Sequence, residues 1–400
     1  MDPTQHSRRP LKPETEIPAS QAEKPMQDPP PDTHASQAGK IIHSSRRDNE
    51  DSPLPVEHDV HWALLGPHGL RAGWSAALFV SLYYLLTPVL DTIAVTIDPA
   101  LEDPVFSPFR VLITEFIPFL TLVLLSLFMA RIEHRRLVDY NLADTQPVQH
   151  FFVGLASGFA ALSALVAALV LGGWIHFGPA SLTGAQALKF GSVWAGAFLL
   201  VGLFEEGTFR CYLQFTLARG INFWWALAAV SGLCLLVQFS SDPKGGEGVY
   251  VVALLGLVPC GLLHRARSAN SSFWQAAWTT STAFGYYHTN NSGETWIGIL
   301  AAALIGFVFC VSVRVTGSAW WAIGCHSAWD WAETFFYGTA DSGFPARRHL
   351  FTSIASGNLL WSGGADGPEG SLLVVPIILL LLALLIVLYG RRRKPVPALA

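Results

Sequence analysis

Apolar residues dominate ten stretches of the chain: 71–96, 109–130, 151–174, 191–213, 223–240, 249–264, 273–289, 296–315, 318–337 and 371–390. Several reach about 20 residues, enough to cross about 30 Å of hydrocarbon at about 1.5 Å per residue. Backbone in lipid has to satisfy its own hydrogen bonds, so such stretches are predicted to be helices. The expected fold is all-α, a polytopic transmembrane helical bundle of about ten spans. The first 60 residues break the pattern. They are rich in Pro, Gln, Ser and charge and hold no apolar core of a cleavable signal. Residues 1–65 therefore read as a disordered cytoplasmic tail, and 66–396 as the membrane domain.

Composition agrees: 51% of residues are hydrophobic and 14% charged, too little charge to cover a soluble domain, and mean hydropathy is positive. A net charge of -4 gives no sign of a nucleic-acid partner. The five cysteines, Cys211, Cys234, Cys260, Cys310 and Cys325, lie in or beside apolar stretches without CxxC spacing. They read as small packing residues rather than a disulfide or thiolate–zinc framework. Basic residues cluster after alternate spans, at 131–136, Arg219, 264–267, Arg314 and 391–394. By the positive-inside rule both termini are expected in the cytoplasm, with Arg347-Arg348 in the long 338–370 loop as the exception.

Residues 223–268 align with 273–318 at a constant offset of 50. Ten positions match, among them Phe223/Phe273, Trp224/Trp274, Gly256/Gly306 and Cys260/Cys310. This reads as a tandem repeat of one helix pair. Gln238 stands where the second copy has His288.

Ionisable residues inside membrane helices cost about 2.5–3.5 kcal/mol each on insertion scales, and are functional candidates for that reason. Three clusters stand out. In Glu205-Glu206-Gly207-Thr208-Phe209-Arg210, Glu206 and Arg210 share a helix face and can pair. Glu205 points about 100° away and is left free, placed to act as a general base. Phe284 through His288 places one histidine among aromatics. In His326-Ser327-Ala328-Trp329-Asp330 a carboxylate follows the histidine by four residues and can hold its ring, with Glu333 one turn further on the same face. Trp320, Trp321, Trp329 and Trp331 read as packing and interface anchors.

Together the three clusters resemble the motifs of the CPBP family (CAAX prenyl proteases and bacteriocin-processing proteins): EExxxR, FxxxH and HxxxN or HxxxD. The resemblance covers about 110–340. It implies a helical core of about eight spans, to which the repeated pair would be added, and endoproteolysis at the membrane. It further implies that Glu205 activates the attacking water and that Glu206 with Arg210 balances the site's charge. His288 and His326 would bind the water, a metal or the oxyanion, and Asp330 would orient or assist His326. Asp in the third motif departs from the HxxxN of prenyl-protein endopeptidases and weakens the transfer of that substrate class.

The expected function is an intramembrane endopeptidase acting on membrane-associated or prenylated CAAX-type peptides and proteins, multi-pass in a bacterial plasma membrane and in contact with the lipid bilayer. Two versions stand side by side. In one, Glu205, His288 and His326 hold Zn2+; in the other the histidines act without metal. HExxH is absent, and no Ser or Cys has a base beside it. Two other functions fit less of the pattern: an ion- or proton-coupled transporter and a non-catalytic membrane scaffold.

Overall fold

The computed structural model describes residues 64–66, 69–102, 105–239, 248–268, 270–291, 293–345 and 347–390. Most of the proposed tail, and the basic run 391–394, lie outside them. Each of the ten apolar stretches coincides with a helix: α1 Ala72–Ile97, α2 Pro108–Ile132, α3 Pro147–Leu171, α4 Gly184–Glu206, α5 Phe223–Phe239, α6 Gly248–Ala266, α7 Ser271–Tyr287, α8 Trp296–Thr316, α9 Trp320–Trp331 and α10 Val374–Tyr389. The protein is an all-α polytopic bundle. Five helices are long and apolar enough to cross a membrane by themselves: α1, α2, α3, α8, and α4 with its continuation to Ala218. Helix α7 has 17 residues, about 26 Å, and α9 has 12. Both rely on neighbours to shield their ends.

Glycine sets the packing around α9. Added Cβ atoms at Gly154 and Gly158 of α3 would fall 2.2 and 2.0 Å from the carbonyl oxygens of Trp321 and Cys325, and one at Gly324 would fall 2.1 Å from that of Phe151. On the other side, a Cβ at Gly202 of α4 would lie 2.4 Å from Ser327 Oγ. Close backbone approach of this small-xxx-small kind holds membrane helices together where no hydrophobic effect does. It also fixes the helix that carries the third motif. Gly158→Val is therefore expected to force α3 off α9 and lower the unfolding temperature in detergent. Overpacking costs about 1–3 kcal/mol or more, and an unchanged midpoint would contradict this packing.

Helix α8 is mostly buried, whereas α1 and α10 present Tyr84, Leu85, Leu380 and Val387 outward. Short strands organise the connections. β1 (Ile175–Ala180), after α3, pairs antiparallel with β4 (Phe351–Ala355), with His176 opposite Ile354. β2 (Ala340–Asp341) and β3 (Phe344–Pro345) form a small hairpin. The 338–370 segment is thereby anchored to the bundle. At an offset of 50, the boundaries of α5 and α6 meet those of α7 and α8 to within two residues. Phe223/Trp224 and Phe273/Trp274 also make the same edge contact, at 5.3 and 5.1 Å. The side chain of Gln238 lies outside the described residues.

Cys211, Cys260, Cys310 and Cys325 are buried free thiols, and Cys234 contacts the Tyr286 hydroxyl at 2.9 Å. Of the four tryptophans, Trp321 is fully buried. The other three donate indole hydrogen bonds: Trp320 to the Leu142 carbonyl, Trp331 to that of Gly191, and Trp329 to the Glu369 carboxylate.

Candidate active site

Helix α4 changes form directly after its two glutamates. Gly207–Leu213 is a π-helical segment before the helix resumes to Ala218. Such widened turns are characteristic of functional sites. The carbonyl of Arg210 within it accepts a hydrogen bond from Asn141 Nδ2 at 2.7 Å. Arg210 still reaches back to Glu206. Nη1 donates to Oε1 at 3.3 Å, and Nε lies 3.2 Å from Oε2 as an ion contact off the hydrogen-bond axis. Both side chains are fully buried.

The guanidinium sits over the Phe284 ring at 4.3 Å and 5.4 Å from that of Phe309. Such cation–π contacts offset part of the cost of removing the charge from water. A Cβ at Gly306 would lie 2.4 Å from Arg210 Nη2, so a side chain there would have to displace the guanidinium. Phe284 of the second motif is thus the plate on which the first motif's arginine rests.

His326 lies midway along α9. Its Nδ1 is 2.8 Å from Glu206 Oε1, while Nε2 is 3.6 Å from Glu205 and 3.5 Å from Asp330. The Phe309 ring stacks on the imidazole at 5.6 Å. Glu206, more closely than Asp330, therefore holds this ring. With the glutamate ionised, Nδ1 carries the proton of that bond. His288 follows the last turn of α7. Its Nδ1 donates to the Phe284 carbonyl at 2.8 Å, which leaves the lone pair on Nε2.

Glu205, His288, His326 and Asp330 line one cavity of about 440 Å³. Glu206 and Arg210 are not part of its lining and act on it through His326 and Phe284. Helix α4 continues to Ala218, which puts Glu205 thirteen residues, about 20 Å, before its end. His288 is seventeen residues, about 25 Å, past the start of α7. The alternating course of the chain brings these heights together.

Four further carboxylates line the same cavity: Asp91 of α1, Glu115 of α2, Asp341 of β2, and Glu369 in the turn before α10. Glu115 met the criterion that singled out Glu205, an acid within an apolar stretch, and the motif pattern passed over it. Nothing local marks Asp341 or Glu369, which reach the cavity through the folding of the 338–370 segment. Burial, and then the nearby Glu369, push the Asp341 carboxyl up to about 7.

Donor types at the motif residues suit zinc: one carboxylate and two imidazoles. Among the described residues, however, the group whose ligand atoms all lie within 4.8 Å of one another is Glu333, Asp341 and Glu369.

The polytopic helical bundle gathers two histidines and several carboxylates around one cavity, an arrangement that suits hydrolysis within a membrane. The family model described as type II CAAX prenyl endopeptidase Rce1-like matches residues 187–270 and 260–332. That match is consistent with the CPBP family of intramembrane proteases. No curated protein and no solved structure matches the chain significantly.

Proposed function

We propose that the chain is an intramembrane endopeptidase in which Glu205 deprotonates a water for attack on a peptide carbonyl. The observation that carries this reading is that Glu205 and Asp330 both lie within 3.6 Å of His326 Nε2 on the wall of a cavity that also holds His288. Glu205 is the one glutamate of its pair that faces the cavity; Glu206 is committed to Arg210 and His326. The proton leaves water for Glu205 and passes to the departing amine. His288 Nε2 can accept a hydrogen bond from the water and so orient it. His326, bound at Nδ1 by Glu206, would stabilise the developing oxyanion by donating from a protonated Nε2. Zinc held by Glu205, His288 and His326 would lower the pKa of the same water.

The Rce1-like match supports substrates that end in a prenylated CAAX sequence, and the aromatic cavity wall of Tyr83, Phe204 and Tyr287 offers an apolar chain a place. The paired helices α5–α6 read as an added copy of α7–α8, supported by the matching boundaries and by the family match falling in two stretches.

Cleavage of quenched prenylated and unprenylated peptides in liposomes tests the whole reading. His288→Ala is expected to reduce kcat about 10²-fold or more, with little change in KM. Treatment with a chelator selective for zinc separates the two versions. Full activity after stripping assigns the chemistry to the side chains alone. Activity that is lost and then restored by zinc places the ion among them. If no peptide is cut in vitro and His288→Ala cells process their membrane proteins like wild type, the scaffold reading replaces this one.

A further inference from the structure

We propose that Glu333, Asp341 and Glu369 form a binding site for one hard divalent cation of calcium size, separate from the motif residues. The three carboxylates come from three parts of the chain: the π-helical continuation of α9 (Ala332–Tyr337), the β2–β3 hairpin, and the turn Pro368–Gly370. One oxygen from each falls within 4.8 Å of the others. Donors on opposite sides of a calcium ion at about 2.4 Å are about 4.8 Å apart, so this spread is what such an ion can bridge. All-oxygen donors select calcium, magnesium or manganese over zinc or copper.

The orphaned glutamate points to a ligand. Glu333 is fully buried, and neither of its oxygens has a hydrogen-bond partner among the described residues. Its carboxylate faces two more acids, and none of the three has a lysine or arginine within ion-pair distance among the described residues. Like charges this close cannot all remain ionised without a counter-charge.

The other two carboxylates are held from behind. Asp341 Oδ2 accepts from Thr334 Oγ1 at 2.8 Å. Glu369 accepts from Trp329 Nε1 at 2.7 Å and Ser342 Oγ at 3.1 Å. Outer partners of this kind orient metal-binding carboxylates. Gly367, at φ +102°, passes close over the cluster, and a Cβ there would sit 3.2 Å from Glu333 Oε1 and 2.2 Å from the Ala340 carbonyl. Only glycine leaves that space. Asp341 and Glu369 also wall the main cavity. A bound ion would thus pin the 338–370 segment against α9 and fix one side of the substrate space.

The test uses the full chain in detergent, stripped of metal and titrated with Mn2+ while its spin-resonance signal reports free ion. One Mn2+ per chain is expected, displaced by Ca2+, with a rise in unfolding temperature on Ca2+ addition. Glu333→Gln and Asp341→Asn should each weaken binding at least tenfold, and Glu205→Gln should leave it unchanged. Mn2+ lost in Glu205→Gln but kept in Glu333→Gln would place the ion among the motif residues and overturn the proposal. So would wild type that binds no Mn2+ at millimolar concentration, which would mean the acids share protons instead. Because binding is read on wild type and on Glu205→Gln, poor folding of the cluster variants leaves the outcome decided. Failure of the protease reading would show in the peptide assay and leave the titration untouched.

Discussion

Glu205→Gln is expected to lower the rate of peptide cleavage about 10²–10⁴-fold, the contribution typical of a positioned general base. The amide keeps the size and most polar contacts of the carboxylate but cannot take a proton from water. Glu205 lies 3.6 Å from His326 Nε2 and faces the cavity, so its replacement removes the base without opening the packed layer behind it. The unfolding midpoint and helical content should therefore stay close to wild type, and peptide binding measured on the inactive variant should survive. Glu205→Asp retains a base but withdraws it by about one methylene, and a shift near 1 Å can itself cost about 10²-fold. Aspartate activity between wild type and glutamine is expected. A glutamine variant with full activity would move the base to another acid of the cavity wall, Asp330 first because it lies 3.5 Å from His326 Nε2.

The helices were legible because hydrocarbon leaves the backbone no alternative: all ten apolar stretches became helices. The pairing of Glu206 with Arg210 was also legible, since four-residue spacing survives even into the π-helical turn. The chain position of His326 gave no hint that Glu206, 120 residues earlier, would contact it more closely than Asp330. That contact depends on how deeply α9 seats against α3 and α4, which the glycines at 154, 158 and 202 decide. Gly154 and Gly158 form a small-xxx-small pattern visible in the sequence, but nothing in that pattern says which helix it meets. Glu333 illustrates the opposite limit. Helical spacing put it on the face of His326, but the chain widens into a π-helical segment at Ala332. Its carboxylate instead joins acids from a segment with no periodic signal at all.

Arg210→Met is expected to produce the largest loss of stability among the site variants, about 3–5 kcal/mol, as when one member of a buried ion pair is removed. Arg210 and Glu206 are both fully buried, and the guanidinium fills a pocket made by Phe284, Phe309 and the missing side chain of Gly306. Methionine supplies much of the apolar volume but no charge. Glu206 would then face His326 Nδ1 at 2.8 Å as its remaining cationic partner. Glu206, freed from Arg210, would shift toward His326 and turn the ring, moving Nε2 off the oxyanion position, so activity should fall together with stability. The double variant Glu206→Gln/Arg210→Met removes both charges at once and should recover most of the lost stability, because no unpaired charge is left behind. It should not recover activity, since the amide orients His326 without supporting its charge. Thermal unfolding in detergent across the four-member cycle gives the coupling energy directly. A single variant as stable as wild type, or a double variant less stable than the single, would mean that the arginine is held by its aromatic plates rather than by Glu206.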